Sequence, residues 1–271
     1  MGVQETILKA KALDEGQMLR PSQKVLSSNM VTGWAVNFPI YKTCQPSKVC
    51  VKTCYAGQNT PIAMKVALNK QVSLLNSVKD NPYAVGDKII KEVSPLFNKG
   101  KMKFLRWNGV GDLFKESIDC LVHVAESLPD LPIWVVTRIP KWAAKVPGLP
   151  NLFVHFSLDA HSLDRYQKTL DLEPLCKQLF FSYTEDKGEV EQPKELDNIP
   201  LSVYFTDLYK STPSQKFSRV SCPLNEMSDI KGGCERCGRC WSIDVLNIKK
   251  GETINKLETK RYQGLPLLEH L

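Results

Sequence analysis

Cysteine is the residue whose placement in this chain can do chemistry. Nine are present, at positions 44, 50, 54, 120, 176, 222, 234, 237 and 240. An odd number rules out complete disulfide pairing. The N-terminal stretch MGVQETILKAKALDEG lacks the apolar core of a secretory signal. The expected setting is therefore the reducing cytoplasm, where thiols act as ligands, nucleophiles or small core groups. Cys120 lies in the amphipathic pattern SIDCLVHVAESL and Cys176 beside the strand pattern of EPLCKQLFF, so both read as buried small hydrophobes. The remaining seven divide three plus four.

Cys44, Cys50 and Cys54 form C-x5-C-x3-C within TCQPSKVCVKTCYAGQ. Three neighbouring thiolates without a fourth suit a site with one open coordination position. A structural zinc takes four protein ligands, whereas an iron–sulfur cubane can be held by three, leaving one iron for a further ligand. No histidine lies nearby; the nearest in sequence is His123. Three structural thiols, or a zinc site completed from elsewhere, remain the alternatives.

Cys222, Cys234, Cys237 and Cys240 form C-P-x10-C-x2-C-x2-C. Consecutive C-x2-C steps wrap a chain closely around a cubane, and a remote Cys-Pro supplies the fourth corner, as in ferredoxin-type 4Fe–4S sites. Zinc is the alternative, although zinc ribbons favour two separated C-x2-C pairs. Gly232, Gly233 and Gly238 let the backbone turn close to a cluster. Arg236 and Arg239 sit between the thiolates, where they would offset the cluster's charge or contact an anionic substrate.

These groups need a scaffold, and the pattern supplies one. Strand-like apolar runs occur at 31–38, 103–107, 132–137, 152–158, 178–183 and 201–205. Helical patterns fill 60–79, 82–97, 114–128, 140–145 and 163–170. Thr60-Pro61 reads as a cap and first-turn pair. Alternating strand and helix units predict an α/β fold with about six mostly parallel strands, in a sheet or a partial barrel. Polar residues follow several strands: Asn108 to Asp112, Arg138, Ser157 with Asp159, Tyr183 with Glu185, and Asp207. Ligands of parallel α/β folds bind at such carboxyl ends, so these residues are expected to ring one site. Ser162 and Asp164 read instead as loop and helix-start residues. Arg138, directly after an apolar strand, needs an anionic partner or a route to solvent.

A three-cysteine loop after the first strand of a partial (β/α) barrel resembles the radical S-adenosylmethionine (SAM) superfamily. The usual spacing there is C-x3-C-x2-C with an aromatic before the last cysteine; here the spacing differs and Tyr55 follows it. The Cys54-Tyr55-Ala56 ending is similar to two groups of phage-encoded proteins. One is the gene product 88 family. The other carries a C-x5-C-x2-CYA loop and is radical-SAM-like. The present spacing is closer to the first. The resemblance covers the CYA loop, the Gly111-Asp112 turn, the Thr137-Arg138 and Ser157–Asp159 strand ends and the terminal cysteines.

The resemblance implies a radical-SAM-like partial barrel over 1–215 carrying the 44–54 loop, a C-terminal Cys-rich cluster segment over 216–250 and a basic tail over 251–271. It implies an open 4Fe–4S cluster on Cys44, Cys50 and Cys54, with Gly111 and Asp112 holding the SAM ammonium. Arg138 and Ser157 would take the SAM carboxylate and ribose. A second, auxiliary 4Fe–4S cluster would sit on the C-terminal four, with an electron donor and an unidentified substrate as further partners. The other reading is a non-enzymatic iron–sulfur or zinc protein that binds nucleic acid or a host protein. The net charge of +7, Trp241 and the basic run 249–261 lean towards an anionic partner. No apolar run is long enough to cross a membrane. No phosphate loop of the G-x4-G-K-S/T kind is present, and no cysteine sits in a nucleophile elbow. If both cysteine groups hold cubanes, anaerobically reconstituted protein will contain about eight iron and eight acid-labile sulfide per chain. Near-zero iron with one or two zinc, by elemental analysis, would remove the cluster reading.

Overall fold

The computed structural model describes residues 16–29, 32–54, 61–185 and 193–205, with Cys222, Cys234, Cys240 and Trp241. Thr60, Asp207, Cys237, the arginines and glycines of the terminal cysteine group, the divisions expected at 215 and 250 and the basic tail lie outside these residues.

The strands are β1 (Ser27–Asn29), β2 (Gly33–Val36), β3 (Leu105–Trp107), β4 (Ile133–Thr137), β5 (Leu152–Leu158), β6 (Leu179–Thr184) and β7 (Leu201–Phe205). The helices are α1 (Ile40–Thr43), α2 (Lys48–Thr53), α3 (Pro61–Asp80), α4 (Pro82–Asn98), α5 (Lys115–Ser127), α6 (Pro140–Ala143) and α7 (Asp164–Leu170). All seven strands form one sheet whose order follows the chain, β1 to β7. From β2 to β7 every pairing is parallel. The α/β expectation and its six strands are thus met. The seventh, β1, pairs antiparallel with β2, and its Ser-Ser-Asn sequence carries no apolar signal. A charged clasp holds it instead. The Glu92 carboxylate accepts the Val25 and Leu26 N–H groups at 2.7 and 3.0 Å, and Lys70 Nζ donates to the Leu26 carbonyl at 2.8 Å.

Local signals explain the long helices. Asn81 caps α4 by accepting the Ala84 N–H at 3.0 Å, with Pro82 in the first turn. The helix buries Val85, Ile89 and Val93 at four-residue spacing. It ends where the Gly100 and Lys101 N–H groups return to the Phe97 and Leu96 carbonyls, with Gly100 at φ +65°.

Alternation along the strands separates two faces. Leu105, Trp107, Ile133, Val135, Leu152 and Val154 point to a core shared with Leu74, Val78, Ile89, Leu121 and Val124 of α3 to α5. Phe156, Leu158, Phe181 and Tyr183 continue that face against Ala143, Leu196 and Tyr204. Cys120 and Cys176 are buried as expected. The other face carries Arg106, Trp134, His155 and Phe180 on neighbouring strands. Trp241 lies on it, its ring stacked on Phe104 at 5.0 Å. Tyr183, expected at the strand-end site, is a correction. It falls on the helix-covered face and stacks on Tyr204 at 5.4 Å.

The turn after β3 needs glycine at position 111. Gly111 has φ +85°, and a Cβ there would lie 2.6 Å from the Phe38 carbonyl oxygen. Gly111→Ala adds a left-handed alanine to a backbone clash and should lower stability by about 2 kcal/mol or more. Urea unfolding checks this; an unchanged midpoint would mean the turn has another conformation available.

Candidate functional site

The carboxyl ends of β2 to β5 place the first cysteine group. After β2 the chain makes two short helices. Cys44 ends α1, its N–H donating to the Ile40 carbonyl at 3.2 Å; Cys50 lies in α2, and Cys54 ends it. Ser47 starts α2, and its Oγ accepts the Cys50 N–H at 3.1 Å. The three thiols are half-buried, and they lie close enough that Cys54 and Cys50 each oppose ionisation of Cys44.

Asp112 stands behind this loop, buried. Its Oδ1 accepts the Thr137 hydroxyl at 2.6 Å and the Leu113 N–H at 2.7 Å, while Oδ2 accepts the Arg138 N–H at 3.0 Å. The Asp112 N–H in turn donates to Thr43 Oγ1 at 2.9 Å, beside Cys44. Asp112 therefore joins the ends of β3 and β4 through its carboxylate, and α1 through its backbone N–H. Burial pushes its pKa up to about 6, against the pull of those hydrogen bonds and of the Arg138 charge.

A second carboxylate joins β4, β5 and α2. Arg138 has the anionic partner its position demanded: Nη1 pairs with Asp159 Oδ2, and the Ser47 hydroxyl donates to the same oxygen. Asp159 Oδ1 accepts the His161 N–H and the Ser162 hydroxyl, each at 3.0 Å. Burial acts to raise the pKa of Asp159, but the Arg138 charge and these hydrogen bonds hold it below the ordinary carboxylate value. Arg165 Nη1 ties the Gln45 and Arg138 carbonyls together at 3.0 Å each. Ser162 acts as the expected loop residue, and Asp164 pairs with Lys168 on the surface.

The electrostatics of the thiols follow. Burial raises the pKa of Cys44 well above its usual value, with Asp112, Cys50 and Cys54 adding to the shift. Burial also raises that of Cys50, while the Arg138 guanidinium opposes the rise. Three thiolates beside a carboxylate are stable together only with positive charge among them, which is the donor chemistry of a thiolate-bound metal group. Among the described residues no group of three or more Cys, His, Asp or Glu side chains is close enough, as it stands, to hold a metal ion.

Of the residues picked from sequence, the structure gathers Cys44, Cys50, Cys54, Gly111, Asp112 and Arg138. Ser157 stands apart within β5, buried and in register with Ser182. Sequence reasoning passed over Thr43 and Ser47. The polar start of KVCVKT could have marked Ser47 as a cap, but its hydrogen bond to Asp159 spans 112 positions. Among the described residues, Cys222 and Cys240 of the C-terminal group meet the sheet. The Cys222 N–H donates to the Tyr204 carbonyl at 2.8 Å, and the Cys240 carbonyl faces His155 Nε2 at 3.0 Å. Trp241 Nε1 donates to the Cys234 carbonyl at 3.4 Å.

The fold and this site define an α/β protein with a three-thiol loop at the carboxyl end of a parallel sheet. The family model for gene product 88 matches residues 7–243, and the chain belongs to that family. No curated protein and no solved structure matches it. No helix among the described residues is long and apolar enough to cross a membrane.

The Arg138–Asp159 pair yields a stability prediction. The Asp159 side chain is 0% exposed and that of Arg138 13%. Arg138→Met leaves a buried carboxylate without its cation and should cost about 3–5 kcal/mol, as removing one partner of a buried pair does. Arg138→Met with Asp159→Asn should recover much of that. A single-variant loss below about 1 kcal/mol in urea unfolding would put the pair in the class of exposed ion pairs.

Proposed function

We propose that this protein is an iron–sulfur enzyme of the radical-SAM type, acting on a substrate not yet identified. The observation that carries the reading is the three-thiol loop, set at the strand ends beside two buried carboxylates and an arginine. The strand order, with every crossover helix on one face, suits a partial (β/α) barrel, the architecture this chemistry uses. Cys44, Cys50 and Cys54 would hold an open 4Fe–4S cluster, and Cys222, Cys234, Cys237 and Cys240 an auxiliary one, with zinc the alternative at the second site. When bound, a three-thiolate cluster supplies an electron to a ligand on its open iron.

The chain's own residues would do the positioning. Asp112 Oδ1 takes two donors and Oδ2 one, which leaves Oδ2 a lone pair for the SAM ammonium. Gly111 lets that turn pass against Phe38. Arg138, fixed by Asp159, would present its remaining N–H groups to the SAM carboxylate, and Ser157 would line the sheet beneath the ribose. An electron donor is required.

The test uses two cysteine variants. Cys50→Ala should fold normally and lose about half the iron of reconstituted protein, while Cys222→Ala should lower stability and solubility, because metal binding and folding are coupled in a short Cys-rich segment. In wild type, millimolar SAM should shift the electron paramagnetic resonance signal of the reduced protein, and Cys50→Ala should abolish the shift. A colourless protein that contains only zinc would instead favour a non-enzymatic binding protein. No shift in iron-loaded wild type would remove the SAM assignment.

A further inference from the structure

The sheet face opposite the helices carries polar groups that the site above does not use. Arg106 of β3 and Trp134 of β4 are in register, and the Arg106 guanidinium lies over the Trp134 ring at 4.7 Å from its centre. His155 of β5 meets the same indole edge-on, with ring centres 5.9 Å apart. All three therefore share one patch across three adjacent strands. Among the described residues no carboxylate pairs with Arg106, and its buried Nε–H has no acceptor. The Trp134 Nε1–H has none either, and the residue is 5% exposed.

His155 completes the set with the opposite polarity. The ring is 1% exposed, and its Nε2 faces the Cys240 carbonyl, which can only accept. Nε2 therefore carries the proton. In the neutral ring Nδ1 is then a lone-pair acceptor, and among the described residues it too has no partner. Leaving one such buried group unsatisfied is costly, and native structures hold few of them. Among the described residues two donors, one on a cation, and one acceptor are left unsatisfied on three adjacent strands.

We propose that this patch is a binding site for a small organic oxyanion, a carboxylate or phosphate, that bears an O–H or N–H next to its charged group. The oxyanion accepts from Arg106 Nε and Trp134 Nε1, and the neighbouring donor reaches His155 Nδ1. Arg106 is half-exposed, so the patch reaches solvent at that side chain. The inference is independent of the cluster reading, and its test uses no iron signal. It places the ligand against the segment of Cys240 and Trp241, since His155 contacts both the ligand and that backbone.

The experiment measures thermal unfolding of the full-length protein, as purified, in an anion-poor buffer at fixed ionic strength. The probes are inorganic phosphate and lactate, which represent the two ligand sources. At least one should raise the midpoint saturably, by about 3 °C or more at tenfold excess over its dissociation constant. Arg106→Met should weaken that response at least tenfold, yet be no less stable than wild type without the anion, because an unpaired half-buried cation has been removed. Trp134→Phe keeps an aromatic ring, though a smaller one, and loses the N–H; it should weaken the response about three- to tenfold. If Arg106→Met does not fold, Trp134→Phe decides alone. A phosphate response that is tighter than lactate's identifies a phosphate ester, and the reverse identifies a hydroxy or amino acid. A rise that does not saturate and is equal in wild type and Trp134→Phe is general salting-out and overturns the proposal. So does the absence of any response, or an Arg106→Met protein that loses stability yet keeps the anion response.

Discussion

A carboxylate buried at the end of a parallel strand must collect hydrogen-bond donors or a cation, and its neighbours in sequence cannot supply enough of them. Asp112 and Asp159 both stand in that position. Each meets the requirement by drawing on distant elements: Asp112 on Thr137 and Arg138, Asp159 on Arg138 and Ser47. Satisfying these two groups fixes the ends of β3, β4 and β5 relative to one another. It also fixes the cysteine loop, because Thr43 and Ser47 belong to the same networks as the carboxylates. The geometry of the three thiols is thus inherited from a desolvation constraint rather than from interactions among the cysteines.

The same networks set the electrical character of the site. Asp112 adds to the burial that keeps Cys44 protonated, whereas Arg138 favours the thiolate of Cys50. Arg138 is shared, since it neutralises Asp159 while its charge reaches Cys50. The gene product 88 family membership identifies the lineage of this arrangement. The chemistry proposed for it rests on the thiols, on the burial that opposes their ionisation, and on the strand-end location that parallel sheets use for ligands.

The winding of the sheet has a second consequence. With the strands in chain order and the helices gathered on one face, the other face must find its own cover. A purely apolar face would suit simple packing. This one contains an arginine, an indole N–H and a neutral histidine, next to the stacked Phe104 and Trp241. Arg138 and Arg106 make the contrast plain. Each follows or interrupts an apolar run, but Arg138 has a carboxylate and hydroxyl around it, whereas among the described residues Arg106 meets the face of Trp134 and no carboxylate.

Period and punctuation in the sequence determined the six parallel strands and five of the helices. Continuous apolar runs such as LFVHFSL can only be buried, and caps such as Asn81-Pro82 act over three or four residues. The burial of Cys120 and Cys176 and the need of Arg138 for an anion were legible for the same reason: each follows from one residue and its immediate neighbours. The strand β1, the hydroxyls of Thr43 and Ser47, the burial of Tyr183 and the polar patch of the open sheet face were decided by the tertiary structure. The polar strand Ser27–Asn29 is entered through Val25 and Leu26, which bond to Glu92 and Lys70 far along the chain, and the side chain of Tyr183 faces the helices because of strand register. Ser47 becomes part of a charge network only when Asp159, 112 positions away, is folded against it. Contacts of that range leave no periodic trace in the sequence, because each needs only one suitable side chain at either end.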